Sequence, residues 1–462
     1  MSTVMDPFLS AVAMADVAAL NGASREDIRL RQSQRVTAAL ASARAGSALY
    51  RERLEGLPDH ADALAHIAPV SRTELMSRFD EWVTDPALRL GELRAFTADV
   101  SRIGEPFLGK YLVWESSGTS GSPGIFVQDA RAMAVYDALE ALRRAPPTGL
   151  QQWLDPWGLA ERIAFVGVTN GHFASYMTIE RLRQLQPWRT SSLQSFSILQ
   201  PVADLIEALN GFAPTVVATY PTVGAMLAEE AAHGRLRVPL REMWTGGETL
   251  GPWVRQRIRD TLGSGVRNNY GASEFLSMGW ECAHGQLHLN ADWLVLEPVD
   301  DNKRPVPDGE ASCSVLLSNL ANLVQPLIRY DLGDQVKLLT TPCACGSAFP
   351  VFEVQGRRDD ILSVQGRGDE PVLLLPLALS TVLEEEAGVF DFQIRQQADG
   401  TLVLRLPQAG ADGQASVVRA RAALNRYAGS LGARPIRVKG ELGQAVPRGR
   451  SGKACRIQAW RP

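Results

Sequence analysis

The chain has 462 residues, 45% of them hydrophobic and 21% charged, a balance ordinary for a folded protein with a large core. Its 47 Lys and Arg nearly cancel its 51 Asp and Glu, giving a net charge of −4, so no global field favours nucleic acid or an anionic membrane surface. Five cysteines are too few for a disulfide framework, and no run approaches the about 18 apolar residues of a membrane span.

At the start, Phe8-Leu-Ser-Ala-Val-Ala-Met-Ala is apolar but has no basic residue ahead of it, so it reads as a helix rather than a leader, and a cytoplasmic protein is expected. From Ser24 to Leu57 the pattern is helical, with Ser24 and Asp27 as an N-cap signal and Leu30, Val36, Leu40 and Leu49 on the apolar face. A strand-like Tyr111-Leu-Val-Trp114 then runs into Ser116-Ser-Gly-Thr-Ser-Gly-Ser-Pro-Gly124. Small hydroxylated residues among glycines expose backbone N–H groups and hydroxyls, which is what a polyphosphate needs. No Gly-Lys-Ser/Thr follows, so the stretch is not a Walker A loop. A plain surface turn is the alternative.

Helix is expected at Ala130–Arg144, strand at Ile163–Val168, helix at Leu205–Leu209 and strand at Thr215–Thr219. Helix follows at Pro221–Ala232, strand at Leu240–Thr245 and helix at Pro252–Leu262. The alternation predicts parallel sheet covered by helices, with sites at the carboxyl ends of strands. The loops at Ser116, Thr169, Tyr220, Gly246 and Tyr270 qualify.

Three further segments carry chemistry. Asn268-Asn-Tyr-Gly-Ala-Ser-Glu274 combines an aromatic, a glycine and a carboxylate; Pro326-Leu-Ile-Arg-Tyr-Asp-Leu-Gly-Asp334 delivers two carboxylates beside an arginine; Gly356-Arg-Arg-Asp-Asp360 is a charged turn. Beyond it, Phe390–Ile394, an Asp399-Gly400 turn, Leu402–Leu406, a helix at Ala415–Tyr427 and Ile436–Val438 predict a small ββαβ domain. The tail closes on Ser451-Gly-Lys453.

In this order and spacing the segments resemble the adenylate-forming (acyl-activating) superfamily, and within it the phenylacetate–CoA ligase-like branch. The matches are Ser116–Pro123, Gly246-Gly-Glu248, Tyr270-Gly-Ala-Ser-Glu274, Arg329-Tyr-Asp-Leu-Gly-Asp334, Gly356-Arg-Arg-Asp359 and Ser451-Gly-Lys453. The branch rests on Glu281-Cys-Ala-His-Gly-Gln-Leu-His288 and Cys343-Ala-Cys-Gly346. The resemblance runs from about Tyr50 to Lys453 and leaves the N-terminal residues unexplained. Gly124 stands where many members have a lysine, and Gly366–Pro376 is longer than the usual run.

The resemblance implies an α/β fold: a large multi-sheet domain (1–358) and a small mobile α+β domain (359–462), hinged near Asp359. It implies two half-reactions, attack of a carboxylate on the α-phosphorus of ATP and then displacement of AMP by a nucleophile. Ser116, Ser117, Gly118, Thr119 and Ser120 would hold the β- and γ-phosphates. Gly246, Gly247 and Glu248 would line the adenine pocket, with Asn269, Tyr270 and Gly271 beside them. Asp334 would take the ribose hydroxyls, Arg357 would reach ribose or phosphate, and Glu274 would hold Mg²⁺. Lys453 would be the catalytic cation, and Glu274 and Thr119 would be the other catalytic residues.

Cys282, His288, Cys343 and Cys345 would form a closed Cys₃His structural zinc site, with His284 as an alternative ligand. Trp114, Phe165, Tyr220, Trp244 and Trp280 lie beside the site loops and are expected to wall an aromatic or flat hydrophobic acid. CoA is the leading acceptor; a carrier-protein thiol, an amine or nitrite are alternatives, as is an inactive nucleotide-binding protein. Neither nucleic acid nor membrane is expected as a partner, and a homodimer is left open.

Overall fold

The computed structural model describes residues 4–58, 60–116, 123–143, 161–357, 360–368, 371–448 and 454–460. The N-terminal helix, Pro7–Leu20, begins where Asp6 accepts from the Phe8 and Leu9 amides and Pro7 occupies its first turn. The next helix, Arg25–Gly46, starts in a capping box between Ser24 and Asp27. Its buried stripe is Ile28, Val36, Ala39, Leu40 and Ala43; Leu30, expected on that face, is 58% exposed because it lies on the opposite side of the turn from Ile28.

Two short strands, β1 (Leu112–Glu115) and β2 (Ile125–Gln128), pair antiparallel on either side of the serine-rich stretch. After the helix Ala130–Leu142 come β3 (Ile163–Gly167), β4 (Leu193–Ser197), β5 (Val216–Thr219), β6 (Glu242–Gly246) and β7 (Gly265–Ala272). These five are parallel, in the order β4-β3-β5-β6-β7. The helices Ala174–Leu185, Val202–Phe212, Pro221–Ala232 and Pro252–Leu262 connect them, as parallel neighbours require.

The second half of the same sheet departs from the expected parallel pattern. From β7 the chain reverses through Ser273 and Glu274 into β8 (Phe275–Glu281), and two residues can join only antiparallel strands. β9 (Leu287–Leu289) follows. A separate three-stranded sheet holds β10 (Leu294–Val299), β11 (Ser314–Asn319) and β12 (Leu327–Asp331). β13 (Asp334–Leu338) and β14 (Val351–Arg357) then complete a nine-stranded mixed sheet.

From Leu362 onward the apolar residues pack into their own cluster, which includes Leu383, Phe392, Leu404, Val417 and Leu424. β15 (Leu362–Val364) and β16 (Val372–Leu374) form a hairpin. β17 (Gln393–Gln396) and β18 (Leu402–Leu406) form another about Gly400, at a φ of 78°. A helix, Gly410–Ser430, leads to β19 (Val438–Leu442) beside β18, and β20 (Ile457–Gln458) joins the other edge. The unit meets the rest of the chain where Phe390 stacks on Trp253 at 3.4 Å between ring centroids. The Ala454 amide also donates to Glu248 at 2.7 Å.

Candidate active site

The β1–β2 hairpin holds the serine-rich loop at its base. The Ser116 amide donates to the Gly124 carbonyl, and the Gly124 amide donates to Ser116 Oγ, each at 2.8 Å. Ser117, Gly118, Thr119 and Ser120, like Asp359 and Lys453, lie outside the described residues.

The ends of β6 and β7 form the next wall. Gly247 sits at a φ of 76°, where a side chain would be strained. A Cβ on Gly271 would stand 1.8 Å from the Leu276 carbonyl oxygen, so only glycine permits the β7–β8 reversal. Glu248 accepts from the amide and hydroxyl of Thr222 at 3.1 and 3.2 Å, which ties this loop to the start of the helix Pro221–Ala232. Asn269 turns its amide to Glu140, with Nδ2 donating to Oε1 at 2.5 Å.

Two phenol–carboxylate pairs stand beside these loops, one half-buried and one buried. The Tyr270 hydroxyl donates to Asp334 Oδ2 at 2.7 Å, and Arg357 Nε approaches Asp334 Oδ1 at 3.1 Å. The Tyr330 hydroxyl donates to Glu274 Oε1 at 2.8 Å. Burial raises the Glu274 carboxyl above its ordinary value, and the Tyr330 bond opposes that rise. Burial, with the adjoining carboxylates, pushes both phenols well up. Asp334 beside it raises the Arg357 guanidinium. Tyr270 does not present its ring to the open cavity; it packs edge-on to Phe352 at 5.4 Å.

The two carboxylates of the Arg329–Asp334 segment part company. Asp331 pairs with Lys303 and Ser314, away from the phenols, and only Asp334 joins them. Arg329 is held by Glu297 and the Ala65 and Ile67 carbonyls. Tyr330, between them, is a residue that sequence reasoning passed over. Its place in the strand carries no signal of the contact with Glu274, 56 positions away.

A cavity of about 800 Å³ opens between the parallel strands and the helices Ala130–Leu142 and Ala174–Leu185. Phe165, Tyr220, Trp244 and Trp280 line it. Trp114 does not: opposite Phe126 in the β1–β2 hairpin, it is fully buried and donates its indole N–H to the Ser273 carbonyl at 2.9 Å. Met5, Ser10 and Met14 also line the cavity, a contribution that nothing in the sequence pointed to.

The sulfur and nitrogen ligand atoms of Cys282, His288, Cys343 and Cys345 lie within 4.8 Å of one another. Cys282 and Cys343 sulfurs are 3.6 Å apart, against about 3.8 Å for the edge of a tetrahedron with 2.3 Å zinc–sulfur bonds. His288 Nδ1 faces the Phe349 carbonyl at 3.1 Å, which leaves Nε2, 3.3 Å from Cys345 sulfur, as the ligand atom. His284 is not in the cluster. The His288 ring stacks on Trp280 at 4.8 Å, so the cluster backs directly onto the cavity wall.

No protein-family model and no curated protein matches the chain in sequence. Solved structures do match it in shape. 2-Hydroxyisobutyryl-CoA ligase in its postadenylation state is 18% identical, with a TM-score of 0.69 over 96% of this chain and 91% of that one. The thioesterification state of that ligase gives 0.57 at 18% identity, over 95% and 91%. An anthranilate CoA ligase holding anthranoyl-AMP gives 0.51 at 17% identity, over 74% and 64%. The chain has the fold of the adenylate-forming ligases, the superfamily that its motifs resemble.

Proposed function

We propose that the protein uses ATP and Mg²⁺ to convert an aromatic or flat hydrophobic carboxylic acid into its acyl-adenylate, and then passes the acyl group to CoA with release of AMP. The observation that carries this reading is the pairing of Tyr270 with Asp334 and of Tyr330 with Glu274 beside an apolar cavity, on a fold shared with acyl-CoA ligases. Asp334, held by Tyr270 and Arg357, takes the ribose hydroxyls, since one carboxylate can accept from both. Glu274 is an oxygen donor suited to Mg²⁺, which neutralises phosphate charge when bound. Gly246, Gly247 and Glu248 line the adenine pocket.

Residues 1–358 and 359–462 are read as two units hinged at Asp359. The better superposition on the postadenylation form, 0.69 against 0.57, supports a small unit docked as it is before acyl transfer. Ala454, next in the chain after Lys453, reaches Glu248 in that arrangement. Lys453 is assigned the charge building between carboxylate and α-phosphate. Lys453→Ala should abolish adenylation but spare thioester formation from preformed adenylate; equal loss in both steps would remove that assignment. The Cys₃His cluster fits a structural zinc ion and the phenylacetate–CoA ligase-like branch. No helix among the described residues is long and apolar enough to cross a membrane.

The test is AMP and thioester formation from ATP, acid and CoA, with amines, nitrite and a carrier protein offered in turn. Acyl-CoA as the sole acyl product, with AMP and pyrophosphate released, supports the reading. Adenylate consumption only by another acceptor would move the protein to that alternative.

A further inference from the structure

The cavity extends far beyond the catalytic loops. The helix Ala174–Leu185 faces it through Ala174, Ser175, Thr178, Ile179, Leu182 and Leu185, a single helical face. At 1.5 Å per residue that face runs about 17 Å. Its start adjoins the carboxyl ends of the strands, where Phe173 and Gly246 also line the space. Its far part carries Leu182, Leu185 and Ile163, with Glu161, Gln186 and Arg189 also lining the space. Two of the charged side chains there are engaged: Asp137 is bound by Arg181 at 3.0 and 3.1 Å, and Glu140 accepts from Asn269.

Met5, Ser10 and Met14 contribute to the same wall from the N-terminal helix and the residues just before it. This helix is fastened at both ends. Arg181 Nε donates to the Val4 carbonyl at 3.0 Å, and Asn21 Nδ2 donates to the Leu142 carbonyl at 3.2 Å. Arg35, itself nearly buried, reaches Asp16 at 2.5 Å from the neighbouring helix. Ala13, Val17 and Leu20 are buried against the body of the protein. A helix fixed in this way is a wall, not a loose appendage.

We propose that the N-terminal helix closes the acid pocket and that the enzyme selects acids longer than one ring, whose apolar end rests on the Met5 and Met14 thioethers. The inference rests on the adenylating reading given above. The cavity of about 800 Å³ also takes in Gly246, Gly247 and Asn269, assigned above to ATP, so the acid has the part beside the helix Ala174–Leu185. Met5 and Met14 are 42% and 37% exposed, so their flexible, polarizable thioethers are free to shape themselves to an apolar group. A single ring with its carboxylate at the catalytic loops would leave the far part of the cavity without a partner.

The test is kcat/KM for acid-dependent pyrophosphate release with benzoate, biphenylcarboxylate and decanoate, in the full chain and in Met14→Trp and Met5→Trp. The wild type should favour the two long acids, and each tryptophan should lower the long-to-short ratio by about tenfold or more as it fills the far end. Phe8→Ser is the control: Phe8 is on the same helix, 75% exposed and not part of the cavity wall, so the ratio should stay as in wild type. Quenching of tryptophan fluorescence by decanoate, without ATP, should weaken in Met5→Trp and Met14→Trp alike. Pyrophosphate release that favours benzoate, or a long-acid preference untouched by both tryptophans, would overturn the inference while leaving adenylation intact. No acid-dependent release at any length would overturn the adenylating reading, and the inference with it.

Discussion

Replacing Tyr330 by Phe removes one hydroxyl and leaves the ring, so it isolates the bond to Glu274. Both residues are buried, at 4% and 8% exposure, and the bond is 2.8 Å. A hydrogen bond to a charged group contributes about 1.5–3 kcal/mol, and no water can replace the lost donor at low cost. If Glu274 holds Mg²⁺ with ATP, its misorientation should lower kcat/KM for Mg-ATP by about 10- to 150-fold, the same energy expressed as a rate ratio. The loss should appear mainly as a raised requirement for Mg²⁺ in a steady-state pyrophosphate-release assay. The melting temperature should fall as well, because buried Glu274 loses a donor, so the Mg²⁺ dependence is the readout that a purely structural bond would not move. A variant with kcat/KM and Mg²⁺ dependence within about twofold of wild type, well under 1 kcal/mol, would refute the claim that this bond positions a working carboxylate.

Three other outcomes follow from the packing. Arg143→Met should cost the fold up to about 3–5 kcal/mol, because buried Asp292 loses its bidentate partner and, among the described residues, keeps only Arg35 at 3.3 Å; a shift in the denaturation midpoint measures it, and a loss below about 1 kcal/mol would contradict it. Zinc should copurify at one ion per chain, and Cys345→Ser should lower that content toward zero; wild-type protein free of zinc would discard the site. His172 is buried, and burial holds its pKa below the ordinary 6.5. As pH falls through 6.5 the unfolded chain takes up the proton first, so stability should drop with falling pH by up to about 1.4 kcal/mol per unit between that value and the lower folded one. His172→Leu should flatten that part of the stability–pH curve, and an unchanged slope would count against it.

Much of the parallel half of the molecule was legible because its punctuation is local. Proline at the first helical position marks Pro221–Ala232 and Pro252–Leu262, and both helices have the bounds expected of them. Leu402–Leu406 was equally clear between its turn and the following helix. The antiparallel half was not, because Ser273 and Glu274 reverse the chain with no Asn-Gly or Asp-Gly signal. Trp114 misled because an aromatic at a strand end reads the same whether it faces a cavity or the core. The contacts that place Tyr330 on Glu274, or the N-terminal helix on the cavity, join residues separated by dozens of positions or more and depend on tertiary packing alone. What the motifs supplied was chemistry; which side chains share a wall had to come from the fold.

The central claim is that this chain adenylates a carboxylic acid, and exchange of labelled pyrophosphate into ATP tests it without requiring the acceptor. With Mg²⁺ present and CoA absent, label should enter ATP only when a suitable acid is added, across a panel of aromatic and long apolar acids. ATP binding with no acid-dependent exchange would contradict the account and leave a nucleotide-binding protein on a ligase fold.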